Sequence, residues 1–345
     1  MGNCCSGQNE RGGLDVRDRP VQEGFDQGEE GIGGDRIAQG KRGQVHAGAR
    51  DFDMDNIELN APSPTFAKPI ENVPDYTNVN TQATLRKIGD YQYQTNEHED
   101  KSLVNLPPHE LENGAIYIGQ WKKGVRDGRG KQIWADGSIY EGYWKNNKAN
   151  GVGRLIHADG SYYVGEWRDD QAHGRGKYYH TDGAVYDGEW AEDKQHGRGV
   201  ETWTDGARYE GDYFQGKKQG KGRFTWADGS QYEGQFYDND IEGVGTYKWY
   251  DGREYEGQWK KNKMEGRGLF TWPDGRRYEG QYFNDLKDGF GTFTWPDGSQ
   301  YRGNWKEGKQ HGQGWYSAKG APEREGEWFE GKRSRWLTES PVKQN

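Results

Sequence analysis

From Tyr117 onward the aromatic positions of the chain return every 23 residues. Tyrosine stands at Tyr117, Tyr140, Tyr163, Tyr186, Tyr209, Tyr232, Tyr255, Tyr278 and Tyr301, and Arg324 takes its place in a tenth, partial unit with no insertion or deletion between units. Gly follows two residues later, and an aromatic two residues after that, from Trp121 to Trp328. A second run reads G-x-G-x-[FYL]-x-[WH], as at Gly220, Gly222, Phe224 and Trp226. Both runs alternate with a period of two, the signature of strands, so each unit is two strands. The pattern predicts an all-β fold: an elongated single-layer antiparallel β-meander of 23-residue hairpin repeats over residues 115–336, preceded by a disordered N-terminal segment and followed by a tail, 337–345.

Turn chemistry divides the units. Asp-Gly recurs between them, from Asp136-Gly137 to Asp297-Gly298, twice as W-P-D-G with Pro273 and Pro296; this predicts a tight hairpin turn. Polar stretches such as Lys122 to Asp127 are expected to be longer loops within each unit. Sorting by parity places Tyr, Gly and Trp of the first strand on one face with Gly, Gly, aromatic and Trp of the second, so rings are expected to lie over glycine backbone. The opposite face carries acids on first strands (Glu141, Asp187, Glu210, Glu233, Glu256, Glu279) and bases on second strands (Arg175, Lys177, Arg198, Lys221, Arg223, Arg267). Such exposed pairs are worth roughly 0.2–1 kcal/mol each and specify register more than stability. At about 4.8 Å per strand the rod should be roughly 90–95 Å long. Pro107-Pro108 and Pro322 are candidate caps for its open edges.

Composition narrows the picture. Only 30% of the 345 residues are hydrophobic, 55 are Gly, and mean hydropathy is −1.29. A large aliphatic core is excluded, yet 15 Trp and an aromatic content of 14% argue against wholesale disorder. The net charge of −9 belongs to the first third: residues 1–114 hold 11 Lys+Arg against 20 Asp+Glu, and the remainder balances. Neither part has the basic excess that nucleic-acid binding needs. No apolar run reaches the ~18 residues of a membrane span.

The N-terminus reads M-G-N-C-C-S. Gly2 with Ser6 fits the myristoylation pattern, and Cys4 and Cys5, the two cysteines of the chain, stand where palmitoyl groups follow. One myristoyl chain anchors only marginally, so the second signal must be acyl, since residues 1–50 are not basic. Residues 1–6 are therefore an acylation motif and residues 7–110 a largely disordered acidic linker, within which Asn78 to Ile88 has the composition to fold on a partner.

Other chemistry fails on spacing. Asp51, Asp53 and Asp55 resemble the opening of a calcium loop, but Asn56 replaces its glycine and Pro62 falls where a glutamate is required. Gly34 to Lys41 lacks the spacing of a phosphate loop. His173, His196 and His311 recur in polar loops with no second ligand at metal spacing. No cofactor, metal or catalytic residue is predicted.

The pattern Y-x-G-x-W followed by G-x-G and D-G resembles the MORN repeat over residues 115 to about 336, in its protist-type, N-terminally acylated form. Members include junctophilins, plant phosphatidylinositol phosphate kinases and cortical or axonemal scaffolds. The resemblance implies a twisted meander with an aromatic groove, scaffolding, membrane association and, in some cases, a homodimer through one end of the array. The chain departs from the pattern at Leu155, His157, His180, Glu201 and Arg324, so the groove should be less regular in units two to four. The expected function is a non-enzymatic scaffold tethered to the cytosolic face of a plasma, cortical or ciliary membrane. A partner peptide or helix is expected in a groove of Tyr209, Trp226, Tyr232, Trp249, Tyr255, Trp259, Trp272, Tyr278 and Trp295. An alternative is phosphoinositide binding by the basic first unit through Lys122, Lys123, Arg126, Arg129 and Lys131. A further alternative is a regulatory protein sharing its repeats with phosphoinositide kinases but lacking their catalytic domain.

Overall fold

The computed structural model describes residues 67–94 and 100–338. Twenty strands form one antiparallel meander, from Ile116–Lys122 and Val125–Ile133 in the first unit to Arg324–Phe329 and Lys332–Trp336 in the last. Complete units contribute a seven-residue and a nine-residue strand, each hydrogen-bonded to the strands before and after it. The expected fold class holds.

The two kinds of connection are the reverse of the expected ones. Within each unit the strands are joined by a two-residue turn with both residues at positive φ, as at Asn146 (49°) and Asn147 (69°). That is the turn whose twist matches paired strands, and the recurring pairs Asn-Asn, Asp-Asp, Gln-Gly and Glu-Gly tolerate it. The Asp-Gly connection is the wider one. Trp134 N–H donates to Ser138 O (3.0 Å), Gly137 N–H to Trp134 O (2.9 Å), and the Asp136 carboxylate accepts from Ser138 N–H (2.8 Å). Here Asp folds the backbone through its own side chain rather than starting a two-residue hairpin.

Each hairpin also carries a bulge. Gly119 pairs with Gly130 and Trp121 with Arg126, so Gln120 faces three residues. The first Gly of each G-x-G supplies the bulge, with Gly128 at φ 88°, and Gln120 Oε1 clasps it by accepting from Arg129 N–H (2.7 Å). That glycine is therefore not covered by the repeat tyrosine, contrary to the parity expectation.

The other two strand glycines are ring-covered. Tyr117 lies flat across Gly119 and Gly130, and its hydroxyl donates to Gln120 O (2.9 Å). A Cβ on Gly130 would stand 2.2 Å from that hydroxyl. The same bond recurs from Tyr140 to Tyr301 at 2.9–3.1 Å. Every repeat tyrosine is fully buried. Each ring meets two neighbours edge-on: Tyr117 contacts Trp121 of its own unit (5.2 Å) and Trp144 of the next (5.3 Å). Such pairs add about 0.5–1.5 kcal/mol beyond area burial. Trp144 Nε1–H then donates to Gly130 O (3.2 Å), tying adjacent units together.

The linker expectation fails over residues 67–94 and 100–110. Val79–Ile88 is a helix capped by Asn78, whose side chain accepts from Asn80 and Thr81 N–H. Polar side chains of this helix reach carbonyls of the array's own Asp-Gly loops, so the folding partner is intramolecular. Short strands Val104–Asn105 and His109–Glu110, flanking Pro107-Pro108, pair with Ile116–Lys122 and close the first edge of the sheet. The lipidation residues Gly2, Cys4 and Cys5 and the acidic triplet at Asp51 lie outside the described residues.

Gly222→Ala drives a Cβ into Tyr209 Oη, 2.5 Å away, whereas Gly229, at φ 88°, has no atom within 4 Å of a built Cβ. In urea melts Gly222→Ala should cost more than about 4 kcal/mol and unravel that part of the array. Gly229→Ala should cost only about 1–2 kcal/mol of backbone strain.

Candidate functional site

The nine residues expected to form an open groove are mostly the core itself. Tyr209, Tyr232, Tyr255 and Tyr278 are fully buried and Trp226, Trp249 and Trp259 are nearly so, leaving Trp272 and Trp295 half-buried. The reason is geometric: rings that must fill the space above glycine pairs turn their faces to the sheet and their edges to one another. What reaches the surface is the rim. Rings run in contact from Trp203 through Phe224, Trp226, Tyr247, Trp249, Phe270, Trp272, Phe293, Trp295 and Tyr316 to Trp336, at centroid separations of 4.3–6.5 Å. Trp203, Trp272, Trp295, Tyr316 and Trp336 are its half-buried members.

The row breaks in unit four, as the departures from the repeat pattern foretell. Glu201 stands where units two, three and five to nine have an aromatic or leucine and unit one has Gln132, and it is buried; Lys218 Nζ lies 2.8 Å from it, and Tyr213 hydroxyl donates to it (3.0 Å). Lys218 also lies 5.1 Å over Trp203 and 5.2 Å over Tyr209. This buried position, nine residues after each tyrosine, was missed in the sequence because it changes type from unit to unit: Arg126, Ala149, Ala172, Gln195, Lys218, Ile241, Met264, Lys287, Gln310. The detectable signal was a parity match to the tyrosine face. At Lys287 the ammonium sits over Trp272, Tyr278, Phe293 and Trp305 at 4.7–5.3 Å.

The five basic residues of unit one do not converge on a headgroup. Arg126 is buried, its guanidinium 4.3 Å over Trp144 and bonded to Gln132 and the Asn147 carbonyl; burial lowers its pKa to about 10. Lys122 pairs with Asp100 (2.6 Å) and Lys131 with Glu141 (3.3 Å). Arg129 donates to Gln94 O (3.2 Å) beneath the Tyr93 ring. Lys123 is exposed in a tight turn. Of the five, Arg129 is the one that segment 76–94 engages among the contacts described.

That segment is a bound peptide in all but connectivity. Asn78, Asn80 and Thr84 donate to the carbonyls of Asp136, Ala158 and Gly160 on the loop edge (2.8–3.1 Å). The chain then turns onto the face opposite the tyrosines, where Arg154 donates to Gly89 O (2.9 Å) and lies over Tyr91, and where Tyr91 and Tyr93 hydroxyls donate to Val152 O and Gly130 O (3.2 and 3.1 Å). Burial pushes the Tyr91 phenol up to about 12. Arg154 also pairs with buried Glu141 (2.5 Å).

Comparison with known proteins now decides the family. The MORN repeat model matches nine consecutive segments, from 117–139 to 301–321. The chain belongs to the MORN repeat family. No curated protein sequence matches it. Among solved structures, the TCP10 domain of CPAP from Danio rerio aligns at 12% identity and a TM-score of 0.33 over 59% of this chain and 93% of that domain. The TCP domain of SAS-4 from Drosophila melanogaster, solved with a proline-rich motif of Ana2, aligns at 14% identity and a TM-score of 0.30 over 46% and 86%. Both overlaps are too loose to carry a functional argument. Within this MORN array, the departure at Glu201 is compensated by Lys218 of the next unit.

Lys218→Met leaves Glu201 buried without its cation and should cost about 3–5 kcal/mol. Adding Glu201→Phe restores the pairing type of units five to seven, and urea melts of the double variant should recover most of that loss.

Proposed function

We propose that this MORN protein is a non-enzymatic scaffold, tethered by acyl chains to the cytosolic face of a plasma, cortical or ciliary membrane, that holds a helix or peptide of a protein partner along its aromatic rim. The carrying observation is the continuous row from Trp203 to Trp336, whose half-buried indoles present broad apolar edges beside charged strands. Half-buried Trp and Tyr give large contact area at small entropic cost, the residue types that dominate binding hot spots. The acids that a catalytic reading would need are engaged in folding: Asp136, Asp159, Asp228 and Asp297 each accept a backbone N–H two residues on. The family is generally non-catalytic.

Membrane attachment rests on Gly2, Cys4 and Cys5. A homodimer through the C-terminal end is part of the same proposal: among the described residues, Lys332–Trp336 pairs on one side only, with Arg324–Phe329, whereas the N-terminal edge is closed.

Two experiments test this. Gly2→Ala should move the protein from the membrane to the soluble fraction of lysed cells; persistence at the membrane rejects the tether. Trp272→Ala with Trp295→Ala should leave the strand circular dichroism intact while reducing proximity labelling of the partner at least tenfold. Unchanged labelling removes the rim from the binding site.

A further inference from the structure

The surface that receives segment 76–94 is repeated. Its contacts on the face opposite the tyrosines use Arg129 and Arg154 in adjoining units, the latter held by Glu141. Three repeats along, the same positions hold Arg198, Glu210 and Arg223. No other adjoining pair of described units carries Arg, Glu and Arg there; the corresponding residues are Val152, Val164 and Lys177 in one neighbour and Lys221, Glu233 and Thr246 in another. The loop edge is repeated with it, since Asp136-Gly137 and Ala158-Asp159-Gly160 become Asp205-Gly206 and Ala227-Asp228-Gly229.

The two copies differ in occupancy. Arg154, under the docked segment, is 5% exposed; Arg223 is 56% exposed and Arg198 71%. A Cβ built on Gly137 or Gly160 meets Asn78 or Thr84 and Asn80, whereas Gly206 and Gly229 have nothing within 4 Å. A groove of about 680 Å³ lies over Arg198, Glu210, Lys221 and Arg223. Arg198 and Arg223 rest on Asp212 and Glu233 in exposed surface pairs, so they exchange partners at little cost.

We infer that units four and five form a second peptide-docking site, on the face opposite the aromatic rim, for a protein partner carrying a capped helix followed by an extended Tyr-x-Lys/Arg segment. The helix and the first tyrosine follow from what the chain itself docks at units one and two. The cation follows from one of two changes at the site, the other being Val152 to Lys221, a position that meets the docked segment through its backbone carbonyl. Tyr143, which donates to Gln94 O (2.9 Å) and meets Tyr93 edge-on, becomes Asp212 three repeats on. A carboxylate there repels a carbonyl and attracts a basic side chain.

The probe is a synthetic peptide of residues 75–94 carrying Tyr93→Lys, added to the full-length chain and followed by fluorescence anisotropy. Saturable one-to-one binding is expected, at least tenfold tighter than for the unmodified peptide and weakened at least tenfold by Arg198→Glu with Arg223→Glu. Both arginines are exposed, and the double variant should melt as the parent does. Absence of binding overturns the proposal, as does binding indifferent to the double substitution, which would mark displacement of the chain's own segment at units one and two. Self-association of the full-length chain that vanishes in the double variant assigns the site to a second copy and also overturns it. None of these outcomes depends on Trp272 or Trp295, so the aromatic-rim reading stands or falls separately.

Discussion

The structure depends on one contact: a tyrosine ring laid across two facing glycines, its hydroxyl bound to a carbonyl three residues on. A single-layer sheet has no second layer to pack against, so a side-chain layer must come from its own strands. Glycine supplies the room, because any Cβ at Gly119 or Gly130 collides with Tyr117. Tyrosine fills it and satisfies its polar end at the carbonyl of the bulge residue, Gln120 in the first unit. Edge-on contacts to the tryptophan of the same unit and of the next carry the arrangement along the rod. The destabilising entropy of strand glycine is thus offset by burial that only glycine permits.

This constraint distributes function. The ring-bearing face is spent on folding, which leaves three surfaces for contacts: the rim of half-buried indoles, the Asp-Gly loop edge, whose carbonyls accept from Asn78, Asn80 and Thr84 in units one and two, and the charged face behind. Segment 76–94 engages the latter two at once. Because the array is translational, what one pair of units does another can do when its side chains agree, and the series at the ninth position after tyrosine varies while its neighbours compensate, as Glu201 and Lys218 do.

Much of this was legible in the sequence. The 23-residue period gave strand number, antiparallel order and the shared face of Tyr, Gly and Trp, because every unit votes for the same parity. Turn assignment was inverted, since Asp-Gly is the strongest hairpin signal by composition, whereas pairs such as Lys123-Gly124 and Glu192-Asp193 form the two-residue turns. The helix Val79–Ile88 was hidden because its docking side chains, Asn78, Asn80 and Thr84, are polar and read as linker. The basic cluster of unit one was visible, but its dispersal, with Arg126 buried over Trp144, Lys122 held by Asp100 and Arg129 beneath Tyr93, depends on contacts across tens of residues that no local pattern encodes.

The ring-on-glycine account is tested most directly by alkaline titration. Burial raises the phenols of Tyr117, Tyr140, Tyr163, Tyr186, Tyr209, Tyr232, Tyr278 and Tyr301 well above their ordinary value of 10. A folded-state pKa raised in this way leaves stability intact below pH 10 and removes it above, by about 1.4 kcal/mol per pH unit for each shielded phenol. Tyrosinate absorbance at 295 nm from these residues should therefore rise in one steep step between about pH 10 and 12, together with loss of the strand circular dichroism. Gradual ionisation of these tyrosines near pH 10 while the sheet persists would contradict the account.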